Sequence, residues 1–248
     1  MQLKTIDVAA FALNAALYVV FGVLISSVIP IYFEGVRFWP QVIIPAVFAV
    51  IFGPWVGGLG AAVGIFISDV SLGGSPILSL MAGITSNFIG FWLIGYIANK
   101  KFASKKVSMN VMITGLYGLV TALGAAVAYF YASILAMGII VACYIIYLVV
   151  VLVSKSKWLN YEIGSVVGLL VGSLIIGIVV PIYAVLFVPS STEFPALTAA
   201  GVLGLFIWTF ATEIPFLLVL GPPILEAVNK AFPTIDKRKQ VTSSETIN

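Results

Sequence analysis

Residues 134–153 read ILAMGIIVACYIIYLVVVLV and contain no charged side chain. A run of this length matches the ~20 apolar residues that a helix needs to cross a bilayer. The run is apolar on every face, whereas a membrane β-strand alternates apolar and polar residues over about ten positions. A helix also satisfies its own backbone hydrogen bonds in lipid. The run therefore predicts a transmembrane helix, and similar runs elsewhere predict others.

The composition extends this prediction to the whole chain. Of the 248 residues, 62% are hydrophobic and 8% are charged, whereas about 25% are charged in a typical soluble domain. We predict an all-α, polytopic transmembrane bundle in the cell membrane. Residues 1–235 are expected to form a single transmembrane domain, and residues 236–248 a polar cytoplasmic tail. About eight spans are predicted, at residues 6–29, 38–52, 54–67, 76–98, 108–130, 132–153, 163–187 and 196–227.

The positions of the basic residues predict the orientation of the bundle. If the N-terminus is cytoplasmic, all but one of the 12 Lys and Arg residues fall on the inner side, and only Arg37 falls outside. This asymmetry follows the positive-inside rule, so both termini are predicted to be cytoplasmic. The net charge of +3 then reflects lysines at the membrane surface. No nucleic-acid partner is predicted, because the chain has no basic soluble domain.

An uncharged segment between Arg37 and Asp69 is interrupted by Gly53 and Pro54. Pro54 lacks a backbone donor and restricts the residue before it, so one helix must end there. Proline also suits the first turn of the next helix. Gly57 begins a series of small residues that allow close helix packing. The segment therefore predicts a tight hairpin of two short helices buried in the bundle.

The order of motifs in this region resembles the substrate-binding (S) components of energy-coupling factor (ECF) transporters. The resemblance covers residues 6–98 and, more loosely, the last two spans. Those components usually have six spans, so the region 108–153 is interpreted as an additional hairpin beside a six-helix core. The residues that carry the resemblance are Arg37, Pro40, Pro45, Phe52-Gly53-Pro54, Gly57, Gly64, Asp69 and the segment Ala12-Leu13-Asn14-Ala15-Ala16.

The resemblance implies a subunit that captures a small vitamin-like solute from outside. A transmembrane T component and cytoplasmic ATPases would then power delivery, with Ala12 and Ala16 docking on the T component. In this family the S component is thought to topple in the membrane. No cofactor is implied. Although some members capture transition-metal ions, no metal site is predicted, because the chain has no histidine.

Five residues are candidates for solute binding, and each also has a structural interpretation. Arg37 and Asp69 flank the hairpin on its outer side, so they either bind a zwitterionic solute or form an exposed salt bridge. Trp39 either stacks on a planar ring or anchors the membrane interface. Asn87 either lines a cavity or hydrogen-bonds between helices. Glu213 lies within a span, where a carboxylate is costly, so it either contacts solute or packs as a hydrogen-bonded acid.

Other functions are also compatible with a polytopic bundle. An oligomeric ion or small-solute channel could line its pore with Asn87 or Glu213. A self-sufficient secondary transporter usually shows two corresponding broken helices, and only the Gly53-Pro54 break is plain. An intramembrane enzyme is not predicted, because it would need paired carboxylates or a nucleophile and a base, and the chain has a single mid-span acid, Glu213, and no histidine. ATP hydrolysis by this chain is excluded, since the sequence contains no phosphate-binding G-x-x-x-x-G-K-[ST] motif.

Overall fold

The computed structural model describes residues 5–100, 158–190, 194 and 197–232, and the isolated positions 118, 121, 138, 141–146, 148 and 149. Five of the described helices are long and apolar enough to cross a membrane. The sixth is shorter and follows a 3-10 turn at Pro40–Val42. The helices are α1 (Thr5–Val28), α2 (Ile43–Phe52), α3 (Pro54–Ser71), α4 (Pro76–Ala98), α5 (Leu159–Phe187) and α6 (Ala199–Ala231).

An all-α helical bundle was predicted, and these six helices confirm that class. The predicted spans 108–130 and 132–153 and the tail 236–248 lie outside the described residues, apart from isolated positions in the two spans. The count of eight spans and the extra hairpin therefore stay predictions.

Several helices are longer than the sequence predicts. The prediction ended the third span at residue 67, but α3 continues to Ser71. Within the helix, Ser68 Oγ donates to the Gly64 carbonyl oxygen at 2.8 Å, and Asp69 is paired with Arg37. Because the protein satisfies these polar side chains, the helix can continue past the apolar run. Similarly, α5 begins at Leu159 rather than residue 163, and α6 ends at Ala231 rather than residue 227.

The turn between α2 and α3 is a single residue, Gly53. Its φ of 101° is in the region that only glycine adopts readily, and Pro54 is the first residue of α3. The two helices then lie very close, because a Cβ on Gly57 would overlap Ala49. A Cβ on Gly95 of α4 would lie 2.8 Å from Pro54 Cα. Small residues thus bring three backbones together beside this turn.

Helices α4 and α5 also pack through glycines. A Cβ on Gly164 would lie 2.9 Å from the Ile94 carbonyl oxygen, and one on Gly172 would lie 3.2 Å from the Ser86 carbonyl oxygen. Between these two contacts, Gly168 lies directly against the backbone of Gly90. Such close backbone approach is typical of helix association in membranes, where small residues form the interface.

A short antiparallel β-hairpin joins α1 to α2, a feature that the sequence did not predict. Its strands are β1 (Tyr32–Phe33) and β2 (Val36–Arg37), and Tyr32 pairs with Arg37. Phe33 stacks on Trp208 of α6, with ring centroids 5.4 Å apart. The hairpin, residues 72–75 and residues 188–190 lie where α1, α3 and α5 end. We call this the β-hairpin end of the bundle, and the opposite end the Gly53 end.

Candidate functional site

A cavity of about 660 Å³ lies within the bundle and reaches the β-hairpin end. Its volume is within the range of about 300–1,000 Å³ that is common for small-molecule sites. Residues from α1, the β-hairpin, α3, α4, α5 and α6 form its wall. All five residues predicted to bind solute line this cavity, namely Arg37, Trp39, Asp69, Asn87 and Glu213. The structure thus brings them together, while solute binding itself stays a prediction.

An ion pair links the β-hairpin to α3 at the mouth of the cavity. Arg37 Nη1 lies 3.0 Å from Asp69 Oδ1, and Arg37 Nη2 donates to the Leu72 carbonyl oxygen at 3.4 Å. The two side chains retain 17% and 22% of their accessible surface, so the pair is not the exposed salt bridge considered from the sequence. The guanidinium also lies 5.6 Å from the centre of the Tyr32 ring. These contacts hold the β-hairpin over the cavity.

A π-helical turn in α4 supplies the second partner of Asp69. The turn covers Ser79–Gly83, and Ser79 Oγ donates to Asp69 Oδ2 at 2.7 Å. A Cβ on Gly83 would lie 3.1 Å from the same carboxylate oxygen, so a larger residue would crowd the pair. Such turns are frequent at functional sites, since they widen the helix and redirect its side chains. Here the turn lets α4 approach the end of α3.

A buried hydrogen-bond chain crosses the middle of the cavity wall. Trp39 Nε1 donates to the Tyr18 hydroxyl at 2.9 Å, and that hydroxyl donates to Asn87 Oδ1 at 2.8 Å. The Tyr18 and Phe91 rings meet edge to face, with centroids 6.2 Å apart. Trp39 is 6% exposed within the protein, so it belongs to the core and is not an anchor at the bundle surface. The sequence did not single out Tyr18, because a tyrosine in an apolar helix carries no distinctive pattern.

We expect Tyr18→Phe to lower the thermal stability of the solute-free protein. The change keeps the ring but removes the hydroxyl, leaving the Trp39 and Asn87 groups without this partner. An unsatisfied buried polar group costs about 1–3 kcal/mol. The midpoint of thermal unfolding in detergent would measure the loss. Tyr32→Phe is the control, because Tyr32 is 52% exposed; equal midpoints for the two variants would contradict the role of the chain.

Two hydroxyl groups in the wall, Ser173 Oγ on α5 and Thr209 Oγ1 on α6, are buried without a hydrogen-bond partner among the described residues. Glu213, also on α6, adds a buried carboxyl group to the same wall. These residues are 0%, 6% and 7% exposed, respectively. Buried polar groups are normally hydrogen-bonded, so a solute in the cavity could provide the missing partners. Sequence reasoning missed Ser173 and Thr209, since isolated hydroxyl residues in apolar helices often bond to their own backbone.

The two alanines predicted to dock a partner lie away from the cavity. Ala12 and Ala16 are exposed on the outer face of α1. The opposite face is buried: Asn14 Nδ2 donates to the Val56 carbonyl oxygen at 3.1 Å, and Tyr18 reaches the cavity. Helix α1 thus separates an inner polar face from an outer face of small and apolar residues.

The architecture defines a class of protein: a multi-pass membrane bundle that encloses a solute-sized cavity lined by buried polar groups. Residues 2–186 match the family described as ECF-type riboflavin transporter, S component. Since this match covers most of the chain, the protein belongs to that family and is a substrate-binding subunit of an ECF transporter. No curated protein and no solved structure gave a match.

The family also bears on the other functions that the sequence allowed. It is a family of transporter subunits and not of enzymes, and it does not favour the channel or the secondary transporter. The matched residues include four of the predicted solute-binding positions. Glu213 in α6 lies beyond them.

Proposed function

We propose that this subunit captures riboflavin from outside the cell membrane and delivers it together with a T component and cytoplasmic ATPases. The match of residues 2–186 to the riboflavin S component family carries the proposal. Delivery is assigned to partners because S components work with them. The cavity provides the capture site, and Ala12 and Ala16 provide the proposed docking surface for the T component.

The chemistry of the cavity supports a flavin as the solute. Riboflavin has a planar tricyclic ring and a flexible chain of four hydroxyl groups. Tyr18, Trp39 and Phe91 give the wall an aromatic region against which a planar ring can pack. Ser173, Thr209 and Glu213 offer hydrogen-bonding groups elsewhere in the same wall. A site with an apolar body and a few polar groups is typical of small-molecule recognition.

The charges of the described residues support placing the β-hairpin end outside. Lys100, just past α4, and Lys230, in the last turn of α6, lie at the Gly53 end. Arg37 lies at the β-hairpin end, where Asp69 is its ionic partner. Because lysines are enriched on the cytoplasmic side, the Gly53 end and both termini are assigned to the cytoplasm. The cavity then opens toward the outside.

We expect right-side-out membrane vesicles that carry this chain to bind riboflavin without being opened. Quenching of flavin fluorescence would measure the affinity. Trp39→Leu is expected to weaken binding at least about tenfold, because it removes a large aromatic surface from the cavity wall. Trp55→Leu is the matched control, since Trp55 is 43% exposed and does not line the cavity.

Two results would contradict the proposal. If the purified, folded protein does not bind riboflavin, riboflavin is not its solute. Binding only after the vesicles are opened would place the cavity on the cytoplasmic side instead. Folding of each variant is checked independently by size-exclusion chromatography.

A further inference from the structure

Helix α6 lies beyond the residues that match the family, yet it contributes to the cavity wall. Thr209 and Glu213 both line the cavity, and they are four residues apart. Residues at this spacing lie on the same face of a helix. At a rise of ~1.5 Å per residue, Glu213 lies roughly 21 Å along α6 from Ala199. The helix therefore presents a hydroxyl and a carboxylate deep in the protein.

Helix α5 places a third polar group opposite this pair. A Cβ on Gly177 of α5 would lie 2.7 Å from the Val202 carbonyl oxygen and 3.1 Å from Phe206 Cβ. The two helices are antiparallel neighbours. Ser173 lies one helical turn deeper in α5 than Gly177, so it lies at about the level of Thr209 in α6. Ser173 Oγ and Thr209 Oγ1 are both without partners among the described residues. We call Ser173, Thr209 and Glu213 the polar floor.

The charges of the described wall are unfavourable for an anion. The wall holds one basic residue, Arg37, and two acidic residues, Asp69 and Glu213. Arg37 Nε is buried without a partner, but its guanidinium is already paired with Asp69 at 3.0 Å. In either protonation state Glu213 contributes no positive charge. A phosphate group requires cationic or multiple backbone donors, and the polar floor has neither.

We infer that the polar floor binds the hydroxyl chain of the solute and excludes its phosphate ester. This inference rests on the proposed function, since it takes the solute to be riboflavin. The hydroxyls of the chain can exchange hydrogen bonds with Ser173, Thr209 and Glu213. A terminal phosphate at the same place would meet the acidic side chain of Glu213 and no free cation of the described wall. Helix α6 is thus the specificity-determining element for the uncharged solute.

Three flavins test this assignment on the purified, folded protein. Riboflavin has the hydroxyl chain, lumiflavin has the ring without it, and flavin mononucleotide (FMN) carries a phosphate on it. We expect riboflavin to bind at least about tenfold more tightly than either of the other two, a difference of the size that lost hydrogen bonds or charge repulsion produce. Flavin fluorescence quenching measures all three affinities.

Matched variants separate the two parts of the inference. Thr209→Val is expected to weaken riboflavin binding about tenfold while leaving the affinity for lumiflavin unchanged. Thr212→Val is its control, because Thr212 lies on the same helix and donates to the Trp208 carbonyl oxygen at 2.7 Å. Glu213→Gln replaces the acid by an amide of the same shape that cannot ionise and can donate N–H groups to a phosphate, and it is expected to reduce the preference for riboflavin over FMN by about tenfold or more.

The outcomes distinguish the inference from the proposed function. If riboflavin and lumiflavin bind equally well, the polar floor does not hold the chain, although riboflavin capture stands. If Glu213→Gln leaves the preference over FMN unchanged, Glu213 does not exclude the phosphate. If none of the three flavins binds, the proposed function and the inference both fail.

Discussion

Gly57→Val is expected to destabilise the protein by about 3 kcal/mol or more. Even a single Cβ at this position would overlap Ala49, and Ala49 Cα and N are both within 3.0 Å of it. The obstacle is a backbone that cannot move without displacing α2, so the cost lies at the upper end of the usual 1–3 kcal/mol for overpacking. For a chain of this size the midpoint of thermal unfolding should fall by roughly 6–12 °C.

The loss of stability is expected to depend on the close contact between α2 and α3 and not on the valine side chain as such. Gly138→Val introduces the same side chain where a Cβ would meet no atom of the described residues within 4 Å. This control should leave the midpoint nearly unchanged. Combining Gly57→Val with Ala49→Gly should recover part of the loss, because one of the overlapping methyl groups is removed. If Gly57→Val and Gly138→Val behave alike, the contact between α2 and α3 does not limit stability.

Replacing both Ala12 and Ala16 by tryptophan is expected to abolish assembly with a T component. The two alanines lie exposed on α1 beside Leu13, which is 54% exposed. Small residues permit close helix approach, and two indole rings would hold a partner helix away. Recovery of the T component and ATPases in co-purification should fall at least about tenfold, which corresponds to about 1.4 kcal/mol.

Riboflavin affinity provides the internal check on this variant. It should be unchanged, because Ala12 and Ala16 are remote from the cavity wall. Val185→Trp is the matched control for a bulky exposed residue, since Val185 on α5 is 52% exposed. If the double variant loses both assembly and riboflavin binding, docking and capture do not use separate surfaces. If it assembles fully, Ala12 and Ala16 do not form the docking surface.

The sequence pointed to charged residues that line the cavity because rare residues stand out in an apolar chain. Arg37, Asp69 and Glu213 are among the few ionisable residues between long apolar runs. The Gly53-Pro54 break was equally plain, since both residues act on the local backbone. These signals depend only on neighbours in sequence.

The remaining features depend on contacts between distant segments. Tyr18 joins the site because it lies between Trp39 and Asn87. Ser173 and Thr209 become significant only when α5 and α6 pack beside each other. The β-hairpin at Tyr32–Arg37 is too short for its strands to show an alternating pattern. The hydrophobic periodicity of one sequence does not show which distant segments are in contact.

The tight packing at the Gly53 end has a consequence for transport. There Gly95 lies against Pro54, and the Tyr161 hydroxyl donates to the Leu217 carbonyl oxygen at 2.7 Å. These contacts pack α3 against α4 and α5 against α6 at the end opposite the β-hairpin. With the proposed orientation, we expect a solute that enters at the β-hairpin end to leave by the same end, so that delivery requires this end to face the cytoplasm.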